Sequence, residues 1–157
     1  MKIKDMTRAA IIAAVYVALT LLASALGLAS GAVQIRLSEI ITVLPAFTPI
    51  AIPGLTAGCF IANLITGCAA WDVIFGTLAT YLGAIGTRFI AKKNKFLAPI
   101  PPILANTVIV PFVLKFAYGV EELLPFLFLS VGIGEIISCG ILGIILIPLL
   151  EKHKSIF

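Results

Sequence analysis

The stretch LLPFLFLSVGIGEIISCGILGIILIPLL, residues 123–150, carries a single charged side chain, Glu135, in an otherwise apolar run. An α-helix needs roughly 20 apolar residues to cross the hydrocarbon core of a bilayer, and this run exceeds that length. A transmembrane β-strand would alternate apolar and polar positions, whereas these residues are continuously apolar. The stretch therefore reads as a membrane-spanning helix.

The same pattern recurs upstream. Apolar runs cover residues 7–28, 53–68, 72–91 and 99–118, and a shorter one at 37–49 is bracketed by Ser38, Pro45 and Pro49. Pro53 suits a first helical turn and Asp72 suits an N-cap. Of the 157 residues, 61% are hydrophobic and 11% charged, against roughly 25% charged in a soluble domain. The expected fold is an all-α integral membrane protein with six transmembrane helices, a single domain over residues 1–157. No domain linker, low-complexity tract or internal repeat is evident. The 37–49 run is short and the 99–118 run is rich in proline; such backbone survives at membrane depth when it is packed in protein or lines a cavity. The first run is long enough to span and is read as a membrane helix rather than a cleaved leader.

Basic residues set the orientation. Lys2, Lys4 and Arg8 precede the first helix, Arg88, Lys92, Lys93 and Lys95 follow the fourth, and Lys152 and Lys154 follow the sixth. Six spans put all three places on the cytoplasmic side, with both termini inside. Glu39, Asp72, Glu121 and Glu122 fall at the outer ends, with Glu121 and Glu122 read as a solvated loop and Lys115 as a snorkelling side chain. The net charge of +4 is thus accounted for by membrane topology and does not point to a nucleic-acid partner.

The chain lacks the motifs of catalysis. His153, its one histidine, lies in the basic tail, and no HExxH, GxSxG or GxxxxGK string occurs. Cys59, Cys68 and Cys139 sit in apolar runs without CxxC or Cys/His spacing, so they read as small hydrophobes and not as metal ligands. The expectation is a protein that is not an enzyme, does not hydrolyse ATP, and carries no cofactor or metal.

Polar groups occur where lipid makes them expensive. A carboxylate at mid-membrane costs several kcal/mol unless paired, and Glu135 lies there, flanked by Gly132, Gly134 and Ser138, small residues that admit a neighbouring helix. Glu39 opens the second helix, Gln34 and Arg36 precede it, Asn63 and Asn106 lie on the third and fifth, and Trp71 and Asp72 form the outer turn before the fourth. Together they form a candidate outer site for a small polar solute. Each also has a plain structural reading, as interhelical hydrogen bond or interfacial anchor, and Arg36 could simply pair with Glu39. On the first helix, Ala9 and Ala13, and Ala10, Ala14 and Ala18, repeat at spacing four, which allows close approach by another helix or by a partner. Gly54 and Gly58 offer the same on the third.

The strings Gln34-Ile35-Arg36-Leu37-Ser38-Glu39, Ala51-Ile52-Pro53-Gly54-Leu55 and Asp72-Val73-Ile74-Phe75-Gly76-Thr77-Leu78-Ala79-Thr80, with Pro101-Pro102 and Asn106, resemble the queuosine-precursor transporter (QueT) family. These are substrate-binding S components of energy-coupling factor (ECF) transporters. The resemblance runs from the alanine-rich first helix to Glu135. It implies an S-component-like six-helix bundle in a prokaryotic plasma membrane that captures a 7-deazaguanine from outside. It also implies an ECF transmembrane coupling protein docked on the alanine face, and two cytoplasmic ATPases. Glu39 and Glu135, then Asp72, would accept from the base. Arg36, Gln34, Asn63 or Asn106 would donate to its carbonyl, and Trp71 or Tyr81 would stack on the ring. The alternative from composition alone is a stand-alone small permease or channel.

Overall fold

The computed structural model describes residues 2–28 and 34–152, which fold into helices. Ser30 and Gly31 of the first loop, and His153 and Lys154 of the tail, lie outside the described residues. The elements are α1 (Ile3–Ala25), a 3-10 helix (Leu37–Ala46), α2 (Ala51–Ile65), α3 (Ala70–Ile90), a short 3-10 turn (Lys95–Leu97), α4 (Ile100–Ala117), α5 (Leu124–Glu135), a π turn (Ile136–Ile141) and α6 (Leu142–Lys152). The last three run on as one apolar rod, Leu124–Lys152.

Ile3–Ala25, Ala70–Ile90, Lys95–Ala117 and Leu124–Lys152 are long and apolar enough to cross a membrane; Leu37–Ala46 and Ala51–Ile65 are shorter. At about 1.5 Å per residue α2 extends roughly 22 Å, and the 3-10 helix at about 2.0 Å per residue roughly 20 Å, both under the ~30 Å hydrocarbon core. The 3-10 winding follows from the sequence. Ile40-Ile41-Thr42-Val43 is a β-branched run that crowds an α-turn, and Pro45 has no N–H to donate back to residue 41. Thr42 Oγ1 also donates to the Glu39 carbonyl at 2.6 Å, three residues back. Asp72 does not cap its helix. The cap is Ala69, whose carbonyl accepts from Asp72 N at 2.8 Å, and the Asp72 side chain turns inward instead.

The surface is far more apolar than that of a water-soluble protein, and several polar groups join the apolar core. Leu64, Ile74, Leu82, Leu104, Val108, Leu129 and Ile145 face outward, while Glu39, Thr42, Asn63, Asp72, Thr80, Asn106 and Glu135 are buried. Apolar surface on that scale needs a lipid environment, and the chain is a multi-pass membrane protein.

Close approaches between rods use small residues. A side chain at Gly54 would meet the Ala9 carbonyl at 2.8 Å, and one at Gly58 would meet Tyr16 Cβ at 2.7 Å and Ala13 Cα at 3.0 Å. Ala9 and Ala13 are thus packed inside the molecule against α2, whereas Ala10, Ala14 and Ala18 remain exposed beside a shallow groove. The prolines of α4 are packing groups in the same way: a Cβ at Gly83 would lie 2.7 Å from Pro102 Cα. Pro101 and Pro102 occupy the first turn, where a missing N–H costs nothing.

The two ends of the bundle differ. At one, Lys95 Nζ pairs with Glu151 Oε1 at 2.9 Å and sits over the Phe47 ring at 5.0 Å, and Arg88 Nη1 donates to the Pro45 carbonyl at 3.4 Å. At the other, the C-terminal ends of α1, α2 and α4 meet the start of the 3-10 helix and of α3 around a polar cavity.

Candidate functional site

The cavity has a volume of about 350 Å³ and is lined by Gln34, Arg36, Asn63, Asp72, Tyr16 and Tyr118, among others. Four of these were singled out by sequence. The segment carrying Gln34 and Arg36 is seated on the α5 rod. Arg36 N donates to Ser138 Oγ at 3.1 Å, and the Gln34 carbonyl lies where a side chain on Gly134 would have to be. The glycine and serine that flank Glu135 therefore receive this loop segment, not another helix. The π turn that follows Glu135 carries Ser138, and places Cys139 Sγ 3.0 Å from Thr42 Oγ1.

Asp72 is held from several sides. Tyr118 Oη donates to Asp72 Oδ2 at 2.9 Å and accepts from Ala69 N at 3.0 Å. Asn63 Nδ2 donates to the Asp72 carbonyl at 3.3 Å. The other carboxylate oxygen, Oδ1, is buried and has no hydrogen-bond partner. Burial and the adjacent Asp72 carboxylate hold the Tyr118 phenol well above its usual range, so it remains a donor. Tyr118 was not a sequence candidate; as one tyrosine at the end of an apolar run it carried no signal beyond that of an interfacial anchor.

Glu39, Asn106 and Glu135 form a second layer beneath the cavity lining, 1%, 1% and 5% exposed respectively. Tyr16, itself in the lining, donates its hydroxyl to Glu39 Oε1 at 2.7 Å. Asn106 faces both carboxylates, yet its Nδ2 completes a hydrogen bond to neither. Glu39 Oε2 and Glu135 Oε2 are likewise buried without a partner. Unpaired polar atoms in one neighbourhood are costly for stability, at about 1–3 kcal/mol each, and need a functional account.

Arg36 is the cation of this region. Burial works against its charge, but Asp72, Glu39 and Glu135 favour the protonated guanidinium. It does not close on Glu39: among the described residues the one ion pair within 4.0 Å is Lys95–Glu151. The charge of the guanidinium is favoured by three acidic side chains, with an ion pair to none of them.

Trp71 stands apart from these residues. It is 60% exposed and stacks on Phe75 at 5.7 Å, in an outward groove shared with Phe112 and Phe116. Adjacent helical positions point about 100° apart, so with Asp72 turned inward its neighbour faces out. Tyr81 also faces outward, and the aromatic rings in the lining are those of Tyr16 and Tyr118. Cys68 is half-buried in the cavity lining, unlike the buried Cys59 and Cys139. Lys115 reaches from the last turn of α4 into the loop: its ammonium donates to the carbonyls of Val120, Glu121 and Glu122 at 2.9, 3.1 and 3.1 Å, locking the turn beside the cavity.

The chemistry available is recognition. Acceptors outnumber cations, and among the described residues no group of three metal-binding side chains occurs. Such a pocket suits a ligand presenting several N–H donors. No curated protein and no solved structure matches this chain. The model of the QueT transporter family matches residues 6–152, nearly the whole length. The chain is therefore a membrane transport protein and not an enzyme, and it belongs to the QueT transporter family.

Proposed function

We propose that the protein is the substrate-binding S component of an ECF-type importer and captures a 7-deazaguanine from the outer face of a prokaryotic plasma membrane. The observation that carries this reading is the polar cavity at one end of the bundle, with unpaired carboxylate oxygens in and beneath its wall. Its volume falls in the range of small-molecule sites, roughly 300–1,000 Å³. A deazaguanine offers a ring N–H and an exocyclic amine to Asp72, and its carbonyl takes a donor from Arg36, Gln34 or Asn63. Glu39 and Glu135 lie deeper, where they balance the cation of an aminomethyl substituent, with Asn106 between them. The ring packs against Tyr16 or Tyr118, and Trp71 anchors the bundle at the interface.

The test is ligand-dependent stabilisation of the purified chain. Deazaguanines at a hundred times Kd should stabilise it by about 2.7 kcal/mol, while unrelated vitamins leave it unchanged. Equal responses to all, or none to deazaguanines, sink the reading. ATP-independent uptake by this chain alone in liposomes would favour a permease instead.

All six rods cross the membrane in this proposal, the 3-10 helix and α2 as short spans within the bundle, with both termini in the cytoplasm. The basic end of the bundle supports that orientation. A C-terminal reporter that is accessible from outside intact cells would refute it.

For docking of the coupling protein, the exposed row Ala10, Ala14 and Ala18 is proposed as the contact, with Ala9 and Ala13 serving the fold. Ala14→Leu should then abolish co-purification with the coupling protein and leave ligand affinity unchanged. Ala13→Leu should destabilise the chain itself, because Gly58 would carry a Cβ only 3.0 Å from Ala13. If Ala14→Leu weakens ligand binding and spares assembly, the docking face lies elsewhere.

A further inference from the structure

We propose that Tyr118 is a positioning residue that presents Asp72 as the acceptor for two adjacent N–H donors on the edge of the bound base, and so sets ligand selectivity. This rests on the deazaguanine reading above. The tyrosine hydroxyl is fixed in direction by its two bonds, accepting from Ala69 N at 3.0 Å and donating to Asp72 Oδ2 at 2.9 Å. That commits one carboxylate oxygen and holds the side chain in a single orientation. Asn63 Nδ2 fixes the backbone of the same residue at 3.3 Å. One turn along α3, Gly76 leaves open the place where a Cβ would lie 3.1 Å from both Asn63 Nδ2 and Asp72 Oδ1. Oδ1 is left buried and without a donor.

A buried carboxylate oxygen with no donor is poised for a ligand N–H. A carboxylate whose Oδ1 has no donor and whose Oδ2 retains a second lone pair has acceptor capacity for two parallel donors, the arrangement that a ring N–H and a neighbouring exocyclic amine present. The clasp is tied into the fold without a ligand. Tyr118 is the C-cap of α4, Gly119 follows with φ +65°, and the Lys115 ammonium ties down the three carbonyls after it. Pre-organisation of this kind improves affinity by removing the ordering cost on binding.

The experiment compares two ligands on the full-length chain in detergent or nanodiscs: 7-aminomethyl-7-deazaguanine, and the same compound lacking the exocyclic amine at position 2. The wild type should prefer the first. Tyr118→Phe removes only a hydroxyl from a 45% exposed side chain, so the fold is kept. It should lower affinity for the first ligand by about tenfold and bring the preference close to unity. Asp72→Asn should do the same, and the double variant should be no worse than the worse single one. A Tyr118→Phe protein that weakens both ligands equally, or neither, overturns the role of Tyr118 while leaving the deazaguanine reading intact. Absence of wild-type binding to either compound overturns both.

Discussion

Replacing Gly134 with alanine is expected to remove ligand binding, with affinity falling about a hundredfold or more, while the helical bundle remains assembled. The added Cβ would collide with the Gln34 carbonyl oxygen and stand 3.3 Å from its carbon. Both partners are backbone, so neither can swing aside as a side chain would. The segment 34–36 must lift from α5, breaking the Arg36 N bond to Ser138 Oγ and carrying the Arg36 guanidinium off the carboxylates it faces. Helix propensity alone gives the opposite sign, since alanine is better than glycine by about 1 kcal/mol in a helix interior. Gly132→Ala is the control, because its Cβ would meet only the Thr107 side chain at 3.5 Å, and it should leave affinity unchanged or slightly stabilise the chain. Titration of ligand into both variants, with thermal unfolding of the ligand-free proteins alongside, decides the matter. If Gly134→Ala binds like the wild type, the segment is not held by α5.

Gly134 also marks where sequence reasoning reached its limit. Small residues around Glu135 signal a close approach, but periodicity does not say what approaches, and a loop segment arrives where a helix was expected. The same limit applies on α1. Spacing four at Ala9 and Ala13 is one pattern whether the partner is internal or external; Gly54 and Gly58 on α2 make it internal there, while Ala10 and Ala14 stay open. By contrast, the long spans were legible because continuous apolar length in α1, α3, α4 and the α5–α6 rod is a one-dimensional property. The short second helix was legible as an anomaly, since its length and its brackets at Ser38, Pro45 and Pro49 are local.

The site was read in part for the same reason. Ionisable side chains in apolar runs stand out in any window, which is how Glu39, Asp72 and Glu135 came to notice. Which of them line a cavity depends on helix rotation and loop seating. Glu39 and Glu135 fall one layer below Asp72, and Trp71 is turned outward by its adjacency to an inward Asp72. Tyr16 and Tyr118, the hydroxyl donors to two of the carboxylates, were invisible because tyrosine in a membrane helix is ordinary.

Arg36→Met should produce the largest loss of stability, together with loss of binding. The guanidinium faces Asp72, Glu39 and Glu135 without closing on any one of them, so removing it leaves buried carboxylates with no countercharge. Deleting one partner of a buried contact pair costs about 3–5 kcal/mol; a cation acting without contact should cost no more than the lower figure, a fall in the unfolding midpoint on the order of 10 °C or less. Methionine keeps the apolar volume of the stem, so the loss is of charge and not of packing. Glu135→Gln in the Arg36→Met background removes one of the stranded carboxylates and should restore a substantial part of the lost stability. Glu39 keeps the Tyr16 hydroxyl on Oε1 in either background and is the less informative position to neutralise. Binding should not return with stability, because the donor for the ligand carbonyl is still missing. A double variant less stable than Arg36→Met alone would mean that Glu135 holds the bundle by hydrogen bonding and that Arg36 does not balance it. Recovery of stability without recovery of binding would separate the two tasks of the one arginine, holding the acidic layer and facing the ligand.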